Sequence, residues 1–260
     1  ARQQAKIETL QSEISDLNKR RQGLDEGRMD LPGHVEDAVS FLEMKYPGAR
    51  PQILCNLVKP REGSCWQNAI EGLLGGNRFV ILVEADFEAR AIRAVRHELP
   101  AAVKRGKLRE ADASVVQGEL AKKRVDHLSL AADSILNELV IIDETARAYL
   151  TASYGRYLKV RDEEALRGAN SGLTSDGMAS GGFKMFTAWA EDGDLAFGAE
   201  ARRKRAIKLA REIQEKSREI ASLKSSVAEL VAWSGQVLKL EFVSVGPKLD
   251  ALAEIQRQLN

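Results

Sequence analysis

The stretch WQNAIEGLLGGNRFVILVE, residues 66–84, combines a helix, a helix stop and a strand within one short span. Four apolar residues recur at helical spacing and predict an amphipathic helix: Trp66, Ile70, Leu73 and Leu74. Gly75 and Gly76 follow directly, and glycine is the usual residue after a helix C-terminus. The run RFVILVE (78–84) is apolar without alternation, which predicts a strand covered on both faces. The stretch therefore indicates an α/β layer.

The sequence on either side extends this pattern. HVEDAVSFLEMKYPG (34–48) predicts a helix that ends at Pro47, and QILCNLV (52–58) predicts a strand. ADFEARAIRAVRHEL (85–99) predicts a helix that ends before Pro100. Strand, helix, strand and helix then alternate, as they do in α/β layers.

A second mixed stretch follows a basic connector, residues 101–126. RYLKV (156–160) predicts a strand and RDEEALRGA (161–169) a helix. SGLTSDGMASGGFKMF (171–186) predicts two strands joined by a turn rich in glycine and serine. AEDGDLAFG (190–198) predicts a loop that leads into the C-terminal helix.

Both ends of the chain have apolar residues at spacings of three, four and seven, which is the pattern of a helix packed along another helix. The N-terminal set is Ile7, Leu10, Ile14, Leu17 and Leu24. The C-terminal set is Leu209, Ile213, Ile220, Leu223, Val227 and Leu230. We expect residues 1–24 to pair antiparallel with a stretch inside 200–230. We also expect Gly246 and Pro247 to break the C-terminal helix.

These patterns predict a mixed α/β (α+β) domain of two parts, inserted in an antiparallel coiled coil. The predicted parts, in chain order, are an N-terminal arm (1–24), a first half (32–100), the basic connector (101–126), a second half (127–190) and a C-terminal arm (199–260).

The composition limits the possible functions. The 260 residues are 44% apolar and 30% charged with a net charge of +1, so attraction to nucleic acid or to a membrane must be local. No apolar run approaches the roughly 20 residues that span a bilayer, and no GxxxxGK[ST] phosphate loop occurs. Cys55 and Cys65 lie in no zinc-binding pattern. We expect a soluble, cytoplasmic chain without a metal site, a cofactor or an enzymatic activity of its own.

Two motifs carry a resemblance to a known family. AIEGLLGGNRFVILVE (69–84) is similar to the first half of the hinge of structural-maintenance-of-chromosomes (SMC) ATPases. LTSDGMASGGF (173–183) resembles the glycine-bearing strand pair of the second half. Trp66 and the segment FGAEARRKRAIKLAREI (197–213) look more like the MukB-like and Wadjet-type bacterial members. The resemblance implies a two-part dimerisation domain between coiled-coil arms.

The resemblance also implies a homodimer that forms through strand edges carrying glycines. The expected contact residues are Gly75, Gly76, Gly177, Gly181 and Gly182. The other interpretation is that these glycines serve local turns only.

As a hinge, the domain would join two subunits so that their long arms enclose or bend DNA, in chromosome organisation or in plasmid defence. The resemblance implies that the parent protein binds ATP and Mg²⁺ in head domains, acts with kleisin-type accessory subunits and is associated with the nucleoid.

A basic run at the start of the C-terminal arm is the expected DNA contact. Its members are Arg202, Arg203, Lys204, Arg205, Lys208 and Arg211. Phosphates would bind there weakly and without sequence preference. The alternative is a solvated helix face, because a charged run on a helix is often no more than that.

One enzymatic alternative rests on three acids. Glu84, at the end of a predicted strand, and the pair Asp192 and Asp194 resemble the Mg²⁺-binding carboxylates of Toprim nucleases and topoisomerases. That family has glycine after the glutamate, whereas this chain has Ala85. The predicted loop around the two aspartates is a second departure from the family pattern.

Overall fold

The computed structural model describes residues 2–99 and 113–258, without the side chains of 238–244. Residues 101–112 of the predicted basic connector lie outside the described residues. The chain divides into two compact units, Ala1–Lys19 with Leu209–Asn260 and Arg20–Lys208. No helix in the described part of the chain is long and apolar enough to cross a membrane.

The first unit consists of parts of two long helices, α1 (Arg2–Asp25) and α9 (Gly198–Gln258). Ile7, Leu10 and Ile220 form its buried cluster, against which Ile14 and Leu223 pack. This confirms the predicted antiparallel pairing.

Ion pairs show the antiparallel direction of the two helices. Lys6 pairs with Glu219 at 2.6 Å, and Glu13 pairs with Lys216 at 2.5 Å, so residue numbers rise along α1 as they fall along α9. The hydrogen bond from Lys216 to Glu13 raises the pKa of the lysine. Lys216, which interrupts the apolar stripe, therefore contributes an interhelical ion pair instead.

The predicted break at Gly246 and Pro247 is wrong, because α9 continues through the proline to Gln258. A proline removes one helical hydrogen bond at a cost of about 3 kcal/mol. The bonds on both sides keep the helix continuous.

The second unit contains seven shorter α-helices and eight short strands within the described residues. The helices are α2 (Gly33–Lys45), α3 (Leu54–Leu57), α4 (Gln67–Leu74), α5 (Glu88–Arg93), α6 (Gly118–Val125), α7 (Glu144–Tyr154) and α8 (Glu163–Gly168). The strands are β1 (Gln52–Ile53), β2 (Val58–Pro60), β3 (Ile81–Leu82), β4 (Leu139–Ile141), β5 (Leu158–Lys159), β6 (Gly172–Leu173), β7 (Met178–Gly181) and β8 (Lys184–Thr187). This mixture of helices with small sheets confirms the predicted fold class.

The predicted strand 52–58 is wrong as a single element. β1 pairs with β3, whereas β2 pairs with β4, and the helical turn α3 carries the chain from one sheet to the other. The pairing of β2 with β4 also places residues from both predicted halves in one sheet.

The predicted strand 78–84 is also shorter than expected, because Gly75–Phe79 forms a 310 helix before β3. Both edges of β3 are occupied. β1 lies on one side, and on the other Ile81 accepts a bond from Val116 and donates one to Ser114, both at 2.8 Å. This strand therefore has no open edge for a second copy.

The third sheet has the strand order β5-β6-β7-β8, so 171–186 forms three strands where two were predicted. β5 runs parallel to β6, and the other neighbours are antiparallel. The outer edge of β5 is covered, because Lys159 donates to Asp133 at 2.7 Å and Tyr157 accepts from Ile135 at 3.1 Å. β8 is left at the other edge.

The interior of the second unit is built from both predicted halves. Its fully buried large side chains include Leu42, Ile70, Leu74, Ile81, Ile135, Leu150, Leu173 and Phe197. A core shared in this way holds the third sheet, and with it β8, in a fixed position relative to α4.

Candidate self-association surface

The outer edge of β8 carries unpaired backbone groups. Its pairs with β7 run from Gly181–Lys184 to Met178–Thr187, and Ala188 donates to Gly177 at 2.7 Å. In an antiparallel ladder only alternate residues bond to the neighbouring strand. Met185 and Thr187 consequently direct N–H and C=O away from β7, where no residue of the described chain pairs with them. An open edge of this kind is a template for another strand.

The side chains around this edge are apolar and exposed. Phe183 is fully exposed, Met185 and Trp189 are each 43% exposed, and Phe186 is half-buried. The Nζ atom of Lys184 lies over the Phe186 ring, 5.8 Å from the ring centroid. We call residues 182–189 the β8 surface. Contiguous apolar residues beside an open edge are typical of a protein interface.

The turn before β8 has a strained backbone. Gly182 has a φ of 56° and Phe183 a φ of 60°. Positive φ at both central residues defines a type I′ hairpin turn, which glycine and asparagine favour. A bulky residue at positive φ is unusual. The chain therefore holds a large aromatic side chain in solvent at a position where glycine would fit better.

The structure gives Gly177 and Gly181 roles within the chain. A Cβ at Gly177 would lie 2.9 Å from the carbonyl oxygen of Ala188, and one at Gly181 would lie 2.6 Å from the hydroxyl of Tyr157. Both glycines are buried. A bulky group at Gly181 would therefore displace Tyr157 before it could reach a second copy.

Gly75, Gly76 and Gly182 have open space around them, since a Cβ at any of them would meet no atom within 4 Å. Contact of the five glycines with a second copy stays a prediction. For Gly75 and Gly76, however, the predicted reason is wrong, because the strand that follows them has no open edge.

A row of polar and aromatic contacts links the two glycine-bearing turns. Asn77, beside Gly76, donates to the Tyr154 hydroxyl at 2.8 Å. Tyr154 and Tyr157 have ring centroids 6.2 Å apart, and Tyr157 abuts Gly181. Burial raises the pKa of the Tyr154 hydroxyl, and the hydrogen bond from Asn77 lowers it in part. The two motifs that carry the resemblance therefore lie in one neighbourhood.

Two residues of α4 that the sequence reasoning missed hold this neighbourhood together. The Glu71 carboxylate is completely buried and accepts hydrogen bonds from the backbone of Ala196 at 2.6 Å and of Phe197 at 3.0 Å. Arg78 at 3.0 Å and the Gln67 side chain at 2.8 Å also donate to this carboxylate. The sequence does contain a signal for Glu71, because it lies beside the apolar face of a predicted helix. A glutamate buried in such a place is almost always paired.

Gly72 is the second missed residue. A Cβ on Gly72 would overlap the backbone nitrogen of Trp189, so the helix and the end of the β8 surface meet backbone to backbone. Asn68 lies one turn earlier on α4. Its side-chain amide donates to the Ala190 carbonyl at 2.8 Å, and its backbone carbonyl accepts from the Ala190 N–H at 3.0 Å. The glycine within AIEG signals such a close approach.

The predicted DNA-binding residues are largely paired with acids. Lys204 pairs with Asp192 at 3.1 Å, Lys208 with Asp194 at 2.6 Å, and Arg203 with Glu200 at 3.5 Å. Arg205 pairs with both Asp30 and Asp194, at 2.6 and 3.1 Å. Arg202 is half-buried, and Arg211 is exposed in the other unit. The run is therefore not a uniformly free basic face.

Asp30 is the buried member of this network. Its side chain is 2% exposed and accepts two bonds from Arg20, at 2.6 and 2.7 Å, besides the one from Arg205. Burial raises the pKa of Asp30, but the hydrogen bonds and charges of Arg20 and Arg205 outweigh this effect and hold the pKa below its ordinary value. The carboxylate stays ionised and joins the ends of α1 and α9 that belong to this unit.

The three acids of the Toprim alternative have other partners. Glu84 lies 3.8 Å from Arg50, while Asp192 and Asp194 are occupied by the cations of α9. Across residues 2–99 and 113–258, no three His, Cys, Asp or Glu side chains are grouped so that they could hold a metal ion. The described residues give the alternative no support.

The two cysteines are both free. Cys55 is buried, which raises its pKa to about 12, and Cys65 is exposed. A thiol with so high a pKa is unreactive at neutral pH.

The fold and the β8 surface define a mixed α/β domain with an open, apolar strand edge at β8. No protein-family profile and no curated protein sequence matches the chain. Its structure is similar to those of SMC hinge domains. The hinge of Geobacillus stearothermophilus SMC, crystallised as an asymmetric dimer, has 19% identity and a TM-score of 0.47 over 88% of this chain and 93% of that one.

The Pyrococcus furiosus Smc hinge with an extended coiled coil has 18% identity and a TM-score of 0.45, over 94% of this chain and 91% of that one. The Pyrococcus furiosus hinge alone has 16% identity and a TM-score of 0.41, over 60% and 87%. These similarities concern the fold, and they do not distinguish MukB-like from Wadjet-type proteins.

Proposed function

We propose that this chain is the dimerisation hinge of an SMC-like ATPase. Two copies would associate through their central units, so that one particle carries two coiled-coil pairs. In the parent protein, ATP-binding heads would lie at the far ends of the arms, and the joined arms would enclose or bend DNA. The fragment itself would have no catalytic role, and its parent would work in the cytoplasm, on the nucleoid or on plasmids, with kleisin-type subunits.

The observation that carries this proposal is the open edge of β8. The third sheet is closed at β5 and open at β8, and the open end is where apolar side chains are exposed. Water satisfies the free N–H and C=O groups of Met185 and Thr187 in a single copy. A strand from a second copy would satisfy them and bury the neighbouring side chains at the same time.

A second apolar strand offers a partner for β8. Val140 is 48% exposed and Ile142 is 63% exposed, on and just after β4. β4 pairs with β2 on one side. On its other side the Ile141 carbonyl accepts a bond from Arg147 at 2.7 Å and the Leu139 N–H donates to Leu136, so a second copy would contact β4 mainly through its exposed side chains. A two-fold dimer in which β8 of each copy meets β4 of the other would use both surfaces twice and leave neither apolar patch in water.

DNA contact is the second element of the proposal. The basic segment of α9, which we define as residues 202–208, includes Arg203, whose side chain is 77% exposed. Binding through such residues would depend on salt and not on base sequence.

The test of the proposal uses the backbone of Thr187. Thr187→Pro removes the outward N–H without touching a β7–β8 hydrogen bond, and proline is tolerated on an edge strand. Thr187→Val keeps the N–H and serves as the matched control. We expect the wild type and the valine variant to dimerise, and the proline variant to have a dissociation constant about tenfold higher or more, since each copy loses a hydrogen bond. Light scattering over a concentration series measures this. A wild type that stays monomeric at high micromolar concentration, or equal masses for the two variants, would contradict the proposal.

A further inference from the structure

The loop Asp192–Asp194 lies directly on the basic segment. This single 310 turn, which we call the acidic cover, pairs Asp192 with Lys204 and pairs Asp194 with both Arg205 and Lys208. Three of the five cations in residues 202–208 are therefore paired with carboxylates of the acidic cover. The distance is 2.6 Å for Lys208 and 3.1 Å for both Lys204 and Arg205. Charge-assisted bonds to phosphate have the same lengths.

The acidic cover has a defined seat. Asn68 donates to Asp192 at 2.9 Å, and this bond together with Lys204 lowers the pKa of Asp192. A Cβ on Gly193 would lie 2.5 Å from the Cδ atom of Lys208. A larger residue at this position would push against the lysine stem. The pairing is thus a packed contact as well as an attraction between charges.

The cations under the cover differ in how firmly they are held. Arg205 is also bound to the buried Asp30, so it is committed to the fold. Lys204 and Lys208 keep 33% and 39% of their side chains exposed, and their partners Asp192 and Asp194 keep 65% and 44%. Exposed ion pairs are weak and are screened by salt. Lys204 and Lys208 can therefore exchange partners while Arg205 stays in place.

We propose that Asp192–Asp194 is an autoinhibitory cover, whose carboxylates occupy Lys204 and Lys208 until the phosphates of a DNA backbone displace them. This inference rests on the DNA contact included in the proposed function and adds its regulation. Lys204 and Lys208 are one helical turn apart and lie side by side, so a single strand of phosphates can reach both. DNA binding is weak in the closed state, since the two carboxylates must leave the lysines first, while Arg78 and Arg205 keep their bonds to the backbone carbonyls of Asp194 and Gly193.

Asp192→Asn with Asp194→Asn tests the cover. Asparagine keeps the shape and the hydrogen bond from Asn68 but removes both charges. Each exposed pair changes an equilibrium constant by about 1.4-fold to 5-fold, so losing three pairs predicts DNA binding tighter by about threefold or more. Salt weakens the competing ion pairs of the wild type as well as its DNA binding, so removing the two carboxylates should also steepen the slope of log K against log salt. Fluorescence anisotropy with a labelled duplex, at several salt concentrations, gives both values.

Two controls make the result specific. Glu62→Gln with Glu164→Gln changes the net charge equally, at exposed acids that do not contact the basic segment. Adding Lys204→Gln and Lys208→Gln to the double asparagine variant should remove the gain. Asp192→Asn alone frees only Lys204 and should give part of the gain in DNA affinity. This single variant keeps the test available if the double variant folds poorly.

Affinity in the double asparagine variant no greater than in the glutamine control, or no binding by either at low salt, overturns the inference. The proposed dimerisation is judged separately, from the mass of the same variants by light scattering. If the protein is dimeric but the asparagine variant binds DNA no more tightly, only the autoinhibitory role of the cover is refuted. If the wild type is monomeric, the proposed hinge function is refuted.

Discussion

Phe183→Gly is expected to stabilise the folded chain and to weaken its self-association at the same time. Phe183 has a φ of 60° and a fully exposed ring. A side chain in the left-handed region costs roughly 1–2 kcal/mol, and glycine removes that strain. Glycine also loses about 0.5–1 kcal/mol more backbone entropy on folding. The net gain is about 0.5–1 kcal/mol, which is a rise in Tm of about 1–4 °C for a domain of this size.

The dimer should lose more than the monomer gains. Burying one phenylalanine ring contributes about 1.5–3 kcal/mol, and a two-fold dimer buries two. Their loss predicts a dissociation constant higher by about 100-fold or more. Because dimerisation itself raises Tm by mass action, thermal melts by circular dichroism belong at concentrations where all variants are monomeric. Sedimentation equilibrium at higher concentrations then gives the dissociation constants.

Phe183→Ala is the matched control, since it removes the ring but keeps a Cβ at positive φ. It should weaken the dimer as much as glycine does, without the rise in Tm. Equal Tm values for the alanine and glycine variants would refute the argument from strain. Dimerisation of both variants at wild-type strength would refute the argument that the ring is buried against a second copy.

Three further predictions concern the scaffold. Glu71→Gln should lower the free energy of unfolding by about 3 kcal/mol or more, and Tm by about 6 °C or more, because Arg78 loses its buried charged partner. A Tm within about 2 °C of an exposed control such as Glu62→Gln, which corresponds to under about 1 kcal/mol, would contradict this. Gly72→Ala should cost about 1–3 kcal/mol in urea unfolding, since the methyl overlaps the Trp189 backbone, whereas Gly76→Ala, with open space around it, should change little. Asp30→Asn should lower the free energy of unfolding at pH 7 and make that free energy fall less steeply below about pH 4. A carboxylate whose pKa is lowered by folding contributes stability that is lost as the pH falls through that pKa. Parallel profiles of unfolding free energy against pH for wild type and variant would refute the role of Asp30.

The helices could be predicted where the decisive information is local. The spacing from Ile7 to Leu24 sets a seam that only another helix can cover, and Ile220 and Leu223 supply it. The helix α4 followed from its apolar face and the glycines after it. In both cases a period of about 3.6 residues identifies the element without knowledge of the rest of the chain.

The strands were predicted less well because their ends are decided by distant partners. An apolar run such as 52–58 cannot show that Val58 pairs with Ile141 while Ile53 pairs with Ile81. The closing of β3 by Ser114 and Val116 is equally invisible in its own sequence. Edge and central strands differ in what lies beside them, which a local pattern does not contain.

The candidate site residues have neighbours in the structure that the sequence did not predict, for a related reason. The basic run and the acidic DxD were treated as separate sites, yet Lys204 and Lys208 are the counter-ions of Asp192 and Asp194. The charge of a residue in the sequence does not show which residue is its ion-pair partner in the fold. For Gly181 the sequence signalled a close approach correctly, but the neighbour in the structure is Tyr157 of the same chain.

The most direct test of the central claim is residue-resolved amide hydrogen exchange by NMR at increasing protein concentration. Lys184, Phe186 and Ala188 already bond to β7, so their amides should be protected at every concentration. The amides of Met185 and Thr187 face the open edge and should exchange quickly in dilute protein. If β8 is the dimerisation edge, protection of Met185 and Thr187 will rise with concentration in step with the mass. If the mass doubles while these two amides continue to exchange quickly, the chain dimerises elsewhere and the assignment of the β8 surface is wrong.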